Sequence, residues 1–152
     1  MSLLNNSQIK MYTWLITLGA IPFILGAILA LLDIQNLIFL GELFYVINSY
    51  ALIIVIFMSG VHWGICLSSK QSNLTYLLLT SNAISILSWL AFLIVSTPII
   101  FILFSVAFLS LLIIDIRLYS QEVIPKHYFI TRCVVTTVVI TSLIILFASN
   151  ID

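Results

Sequence analysis

The sequence predicts an all-α integral membrane protein, a bundle of five transmembrane helices with a short interfacial helix before the second. Three observations predict it. First, 63% of the 152 residues are hydrophobic and only 7% are charged, against about 25% charged in a typical soluble domain. So little charge cannot coat a globular surface, so lipid must be the solvent for much of the chain. Second, the chain breaks into five apolar runs, each near the length of about 20 residues that a helix rising about 1.5 Å per residue needs to cross a bilayer. Third, with alternating spans the basic residues Lys10, Lys70, Arg117, Lys126 and Arg132 all fall on one side. Asp33, Glu42 and Asp152 fall on the other. The positive-inside rule then puts the N-terminus in the cytoplasm and the C-terminus outside.

The elements follow in order. Met1 to Ile9 is polar and reads as a frayed tail. The first span covers about 11–32, too long for the apolar region of a cleaved signal peptide. Pro22 should kink it by removing a backbone donor, and Gly19, Gly26 and Ala30 offer a thin face to a neighbour. After the polar break Asp33–Asn36, about thirty apolar residues exceed one span. Leu37 to Ile47 is read as the interfacial or re-entrant helix, with Glu42 at the headgroups, and the second span as 49–68. One tilted helix starting near Gly41 is the alternative. Ser68–Asn73 is a polar turn. The third span, 74–95, carries Ser81, Asn82, Ser85 and Ser88 as a polar stripe beside Trp89, which should be buried where hydroxyls and amides find partners. Ser96-Thr97-Pro98 turns into the fourth span, 99–118, with Pro98 in its first turn. The loop to Lys126 leads to the fifth span, 128–147. No internal repeat is visible, so residues 1–152 form a single multi-pass domain.

Functional candidates are few. No metal-binding spacing is present and no cofactor is implied by composition. The zero formal net charge gives no argument for nucleic acid. Cys66 and Cys133 read as small apolar fillers. His62 lies about six residues before the end of the second span, roughly 9 Å inside the interface. Ser59, His62, Cys66 and Ser69 share one helical face and Trp63 borders it. Gly60 and Gly64 form a small-xxx-small pair that lets another backbone approach. His62 is either a neutral histidine bonded to a serine or asparagine of the third span, or a proton-relay, cofactor or substrate contact. Asp115 and Arg132 are each costly alone at membrane depth, and a short loop makes their helices neighbours. An ion pair fixing that hairpin is the simplest solution. A functional pocket of His62, Trp63, Asp115, Tyr128 and Arg132 is the alternative. A bis-histidine haem would need His62 to meet His127.

Three stretches carry a family resemblance. Tyr50-Ala51-Leu52 through Phe57-Met58-Ser59-Gly60-Val61-His62-Trp63-Gly64 resembles the signature of the domain-of-unknown-function 3429 family. Leu18-Gly19-Ala20-Ile21-Pro22-Phe23 resembles its Gly-x-x-Pro-Phe opening. Asp115 to Tyr128 and Arg132, followed by Thr136, resembles its close, with His127-Tyr128 where the family often has Trp-Tyr. The resemblance covers nearly the whole chain. It implies a small multi-pass protein of unassigned activity, with relatives among bacterial inner-membrane proteins and the animal mitochondrial transmembrane protein 69. The functional expectation is a non-enzymatic accessory, scaffold or assembly protein of a bacterial inner membrane, partnered by the bilayer and by another membrane protein or itself. The alternatives are a small transporter or channel using His62 and the polar stripe, and a quinone- or haem-linked redox protein.

Overall fold

A computed structural model describes residues 6–69, 72–96 and 98–150. Met1–Asn5, Lys70, Gln71, Thr97, Ile151 and Asp152 lie outside the described residues, so the expectations resting on Lys70, Thr97, Asp152 and the first part of the N-terminal tail are not addressed by it. The elements are α1 (Asn6–Leu18), α2 (Ile21–Leu31), β1 (Asn36–Leu37), β2 (Gly41–Glu42), α3 (Leu43–Ser68), a 3-10 turn (Ser72–Leu74), α4 (Tyr76–Ile94), α5 (Ile99–Ser120) and α6 (Lys126–Ser149). Among the described residues, five helical segments are long and apolar enough to cross a membrane: Ile9–Leu31, Leu43–Ser68, Tyr76–Ile94, Ile99–Ser120 and Lys126–Ser149. This is an all-α bundle of five membrane-spanning helices.

The first span is broken at Gly19-Ala20, just before Pro22. Pro22 has no N–H to return to Leu18, so the ladder stops and restarts. At this break the Gly19 carbonyl accepts a hydrogen bond from the Tyr50 hydroxyl on α3 at 3.0 Å. Helix α1 begins at Asn6, so the tail expected over Met1–Ile9 is helical in its second part. Two helices end without the usual glycine. After α2, Asp33 takes a positive φ of 56°, and its N–H and that of Ile34 bond back to Ala30 and Leu29. After α5, Glu122 (φ 55°) and Val123 do the same to Tyr119 and Leu118. Both are the two-bond helix stop that satisfies orphaned carbonyls.

The interfacial helix expected over Leu37–Ile47 is not formed. Asn36–Leu37 pairs antiparallel with Gly41–Glu42, and α3 then runs unbroken from Leu43. The turn needs Gly41 at φ 85°, a conformation that costs other residues a steric clash and that a helix cannot include. The alternative of one long helix starting near Gly41 comes close to what is seen.

Helix α5 is the axis of the bundle. Its buried side chains Ile100, Phe101, Phe104, Ala107, Phe108, Leu111, Ile114, Asp115 and Leu118 recur at helical spacing and meet α3, α4 and α6. Phe108 meets Phe23 edge-on at 5.8 Å, and Phe101 meets Phe44 at 5.9 Å. Helix α2 packs on α3 and α6 through Gly26, Ala27 and Ala30. The outside is apolar, with Trp14, Phe57, Leu79 and Leu93 among the exposed side chains. That pattern is expected where lipid tails, not water, surround the protein.

Among the described residues, the close contact expected at Gly60 and Gly64 is not made. Both lie on the exposed face of α3, and a Cβ added at either would meet no atom within 4 Å. The sequence spacing is the same whether such a pair faces a helix or lipid, and here it faces out. Gly64→Leu is therefore expected to leave the thermal midpoint in detergent unchanged or raise it, since replacing a helical glycine gains at most about 1 kcal/mol. A clear drop would show that another helix covers this face.

Candidate functional site

Three helices bring one polar group each to the same depth. His62 lies six residues before the end of α3, Asp115 five before the end of α5, and Arg132 six after the start of α6. At about 1.5 Å per residue this is roughly 7–9 Å inside the bundle. The His62 Nε2 sits 2.9 Å from Asp115 Oδ1, and Arg132 Nε donates to Asp115 Oδ2 at 3.0 Å. Relative exposure of the three side chains is 0%, 0% and 3% for His62, Asp115 and Arg132. Because a carboxylate only accepts, His62 presents an Nε2–H, and the imidazole's Nδ1 is left without a protein partner. Asp115 thus ties α3 and α6 to α5 through both of its oxygens. A carboxylate and a guanidinium at this depth are tolerable only because they meet each other.

The local sequence explains the convergence. Pro125 caps α6 with an extended backbone, and Phe129 N–H closes on its carbonyl. The short loop before it returns α6 against α5, so a residue near the end of one helix faces a residue near the start of the next. His62 arrives on the buried face of α3, which also carries Ala51, Val55, Met58 and Ser59.

Two nearby hydroxyls behave unusually. Most serines and threonines in these helices bond back to a carbonyl of their own helix, as Ser105, Ser110, Thr131, Thr137, Thr141 and Ser142 do. Ser59 and Thr136 do not. Both are buried and unpartnered, as is Arg132 Nη2. Ser59 stands one turn from His62 and Thr136 one turn from Arg132, on the same side of the ion pair. Thr136 is not among the pocket residues the sequence suggests, and the signals that point to it are its place one turn from Arg132 and its part in the family resemblance.

Of the residues proposed for a pocket, His62, Asp115 and Arg132 meet directly. Tyr128 lies within electrostatic range of Asp115 and Arg132 and stacks edge-on to Tyr12 at 6.1 Å. Trp63 is 38% exposed, in contrast to the three enclosed side chains. The expected bond from His62 to a serine or asparagine of the third span is replaced by the bond to Asp115. Ser81 bonds the Leu77 carbonyl of its own helix instead. The polar stripe is split: Ser81 and Ser88 are buried, Ser85 is half-buried, and Asn82 faces out with Trp89. Asn82 follows Ser81 by one residue, which turns it about 100° around the helix. His127 is exposed and rests edge-on against Tyr12, on the surface of α6, so it does not meet the enclosed His62. Cys66 and Cys133 are free and half-buried. Among the described residues no group of three or more His, Cys, Asp or Glu gathers as a metal site.

Neither the comparison with curated proteins nor that with solved structures returns a match. A family model described as "Protein of unknown function (DUF3429)" matches residues 8–148, which spans every helix described above and all three members of the buried ion pair group. The chain belongs to the DUF3429 family.

Proposed function

We propose that the protein is a non-enzymatic accessory, scaffold or assembly protein of a bacterial inner membrane, with its N-terminus cytoplasmic and its C-terminus outside. The enclosure of His62, Asp115 and Arg132 supports this reading most. The strongest chemistry in the chain is spent on joining α3, α5 and α6 to one another. Each Asp115 oxygen already holds a partner, Asp115 itself is fully buried, and neither side chain that holds it is open to a substrate. What the bundle presents outward is an apolar surface fit for lipid or for another membrane protein. Purification of the tagged full chain in a mild detergent is expected to retain a membrane-protein partner at fixed stoichiometry, with no visible-region absorbance. A chain that purifies alone and moves a solute across reconstituted vesicles overturns the proposal.

The orientation rests on charge. Lys10, Arg117 and Lys126 share one end of the bundle, while Asp33 and Glu42 share the other. In a Cys66→Ala/Cys133→Ala background, Phe39→Cys in the hairpin is expected to react with an impermeant maleimide on intact cells. Gln121→Cys is expected to react only after permeabilisation. Reaction of both from the same side rules the arrangement out.

A second reading, a small transporter, draws on the unpartnered interior atoms His62 Nδ1, Ser59 Oγ, Thr136 Oγ1 and Arg132 Nη2. These are polar groups beyond what holding the helices requires. The vesicle assay above separates it from the first reading.

A further inference from the structure

At the end of the bundle opposite Lys126, the first turns of α3, the last turn of α4 and the first turn of α5 border a half-open cavity of about 180 Å³. Glu42, Tyr45, Asn48, Phe92, Val95 and Ile100 line it. Asn48 is only 4% exposed, yet its Oδ1 has no hydrogen-bond partner. Glu42 precedes α3 without its carboxylate capping the helix, and it takes part in neither ion pair, both of which belong to Asp115. None of the described basic residues lies at this end. Tyr45 and Phe92 meet at 5.8 Å between ring centroids, tilted by 43°. The last carbonyls of α4, from Phe92 to Ile94, lie beyond reach of their own helix's donors.

These groups share one preference. A carboxylate, an amide oxygen, helix-end carbonyls and two aromatic faces all favour a cation, and three of the four accept hydrogen bonds. The N-termini of α3 and α5 put about half a positive charge each at the same end. The full charge of Glu42 together with the C-terminus of α4 outweighs them. Room for about six water-sized groups, at about 30 Å³ each, suits a small organic cation better than a bare ion.

We propose that this cavity binds an ammonium group, primary or methylated, held by Glu42 and the Asn48 amide oxygen and packed on Tyr45 and Phe92. The ammonium is that of a free amine or of a lipid headgroup. The seat stands at the headgroup end of α3, within reach of both. The proposal is independent of the accessory role argued above.

Saturation-transfer NMR on the full chain in a maltoside detergent tests it, with ethylammonium and tetramethylammonium chlorides as probes and sodium chloride holding ionic strength. Both probes are expected to bind saturably. Glu42→Gln is expected to weaken both by about fivefold or more, from loss of a nearby unlike charge. Asn48→Leu should weaken ethylammonium more than tetramethylammonium, which has no N–H to donate. Asp33→Asn, on the same end but outside the cavity, should change neither. Glu42 is exposed and its carboxylate makes no hydrogen bond among the described residues, so Glu42→Gln should keep the wild-type thermal midpoint. In phosphatidylglycerol nanodiscs, adding phosphatidylethanolamine displaces ethylammonium if the natural source is a headgroup and leaves it bound if the source is a free amine. Both results keep the ammonium site. Signals that rise without saturating for both probes, or equal affinity in wild type and Glu42→Gln, overturn it.

Discussion

Asp115→Leu is expected to cost the bundle about 3–5 kcal/mol, the range for stranding one partner of a buried ion pair. Arg132 would keep its charge at 3% exposure with nothing to accept from its Nε, and His62 would lose its bond as well. Arg132→Met should hurt comparably, because the carboxylate is then the stranded charge. His62→Leu removes one hydrogen bond to a charged group and should cost less, about 1.5–3 kcal/mol. The double variant Asp115→Leu/Arg132→Met decides the matter. It removes both charges, and a well-packed apolar replacement of a buried pair is often neutral or even stabilising. Its thermal midpoint in detergent is expected to lie above those of both single variants. A double variant whose loss equals the sum of the two singles would mean that the two side chains do not interact.

Gly26→Leu is expected to destabilise the contact between α2 and α3 by about 1–3 kcal/mol, the range for overpacking a tight interface. A Cβ at Gly26 would stand 2.7 Å from both Cδ1 and Cγ1 of Ile47, which is itself buried. An isoleucine can turn its Cδ1 aside for one methyl, leaving the Cγ1 contact to be relieved by a small shift of α2 against α3. It cannot do so for an isobutyl group with Ala27 and Ala30 also packed on that face. Gly26→Ala should therefore be much milder, because the gain of about 1 kcal/mol from replacing a helical glycine offsets part of the clash. Equal midpoints for wild type and Gly26→Leu would show that α2 is free to move away from α3.

The spans were legible because each apolar run is long and each break is polar, which is enough in a solvent of lipid. The Asp115–Arg132 meeting was legible for a related reason. Two isolated charges at one depth, on helices joined by a short loop, have no cheaper arrangement than each other. The partner of His62 was not legible. It lies across a contact between helices distant in sequence, and spacing along α3 reveals which residues share a face but not which helix that face meets. The outward turn of Gly60 and Gly64 was hidden for the same reason. By contrast, Gly26 and Ala30 were placed correctly on a packed face. The hairpin at Asn36–Glu42 was masked by Leu37, Ile38, Phe39 and Leu40, whose apolarity reads as helix. Gly41 carried the one signal of a turn.

The positions of His62, Asp115 and Arg132 along the chain also set an order of assembly. A chain made from its N-terminus delivers α3 first, and its histidine is the least costly of the three to leave waiting in lipid. Asp115 follows 53 residues later, when Nε2 of His62 is already in place to receive it. Arg132 comes 17 residues after that and finds its counter-ion in the helix just before it. Neither full charge need enter the membrane without a partner already inserted. Supplying α6 as a separate chain ahead of the rest would reverse that order. Its arginine would then meet the insertion machinery alone, though the finished bundle would contain the same contacts.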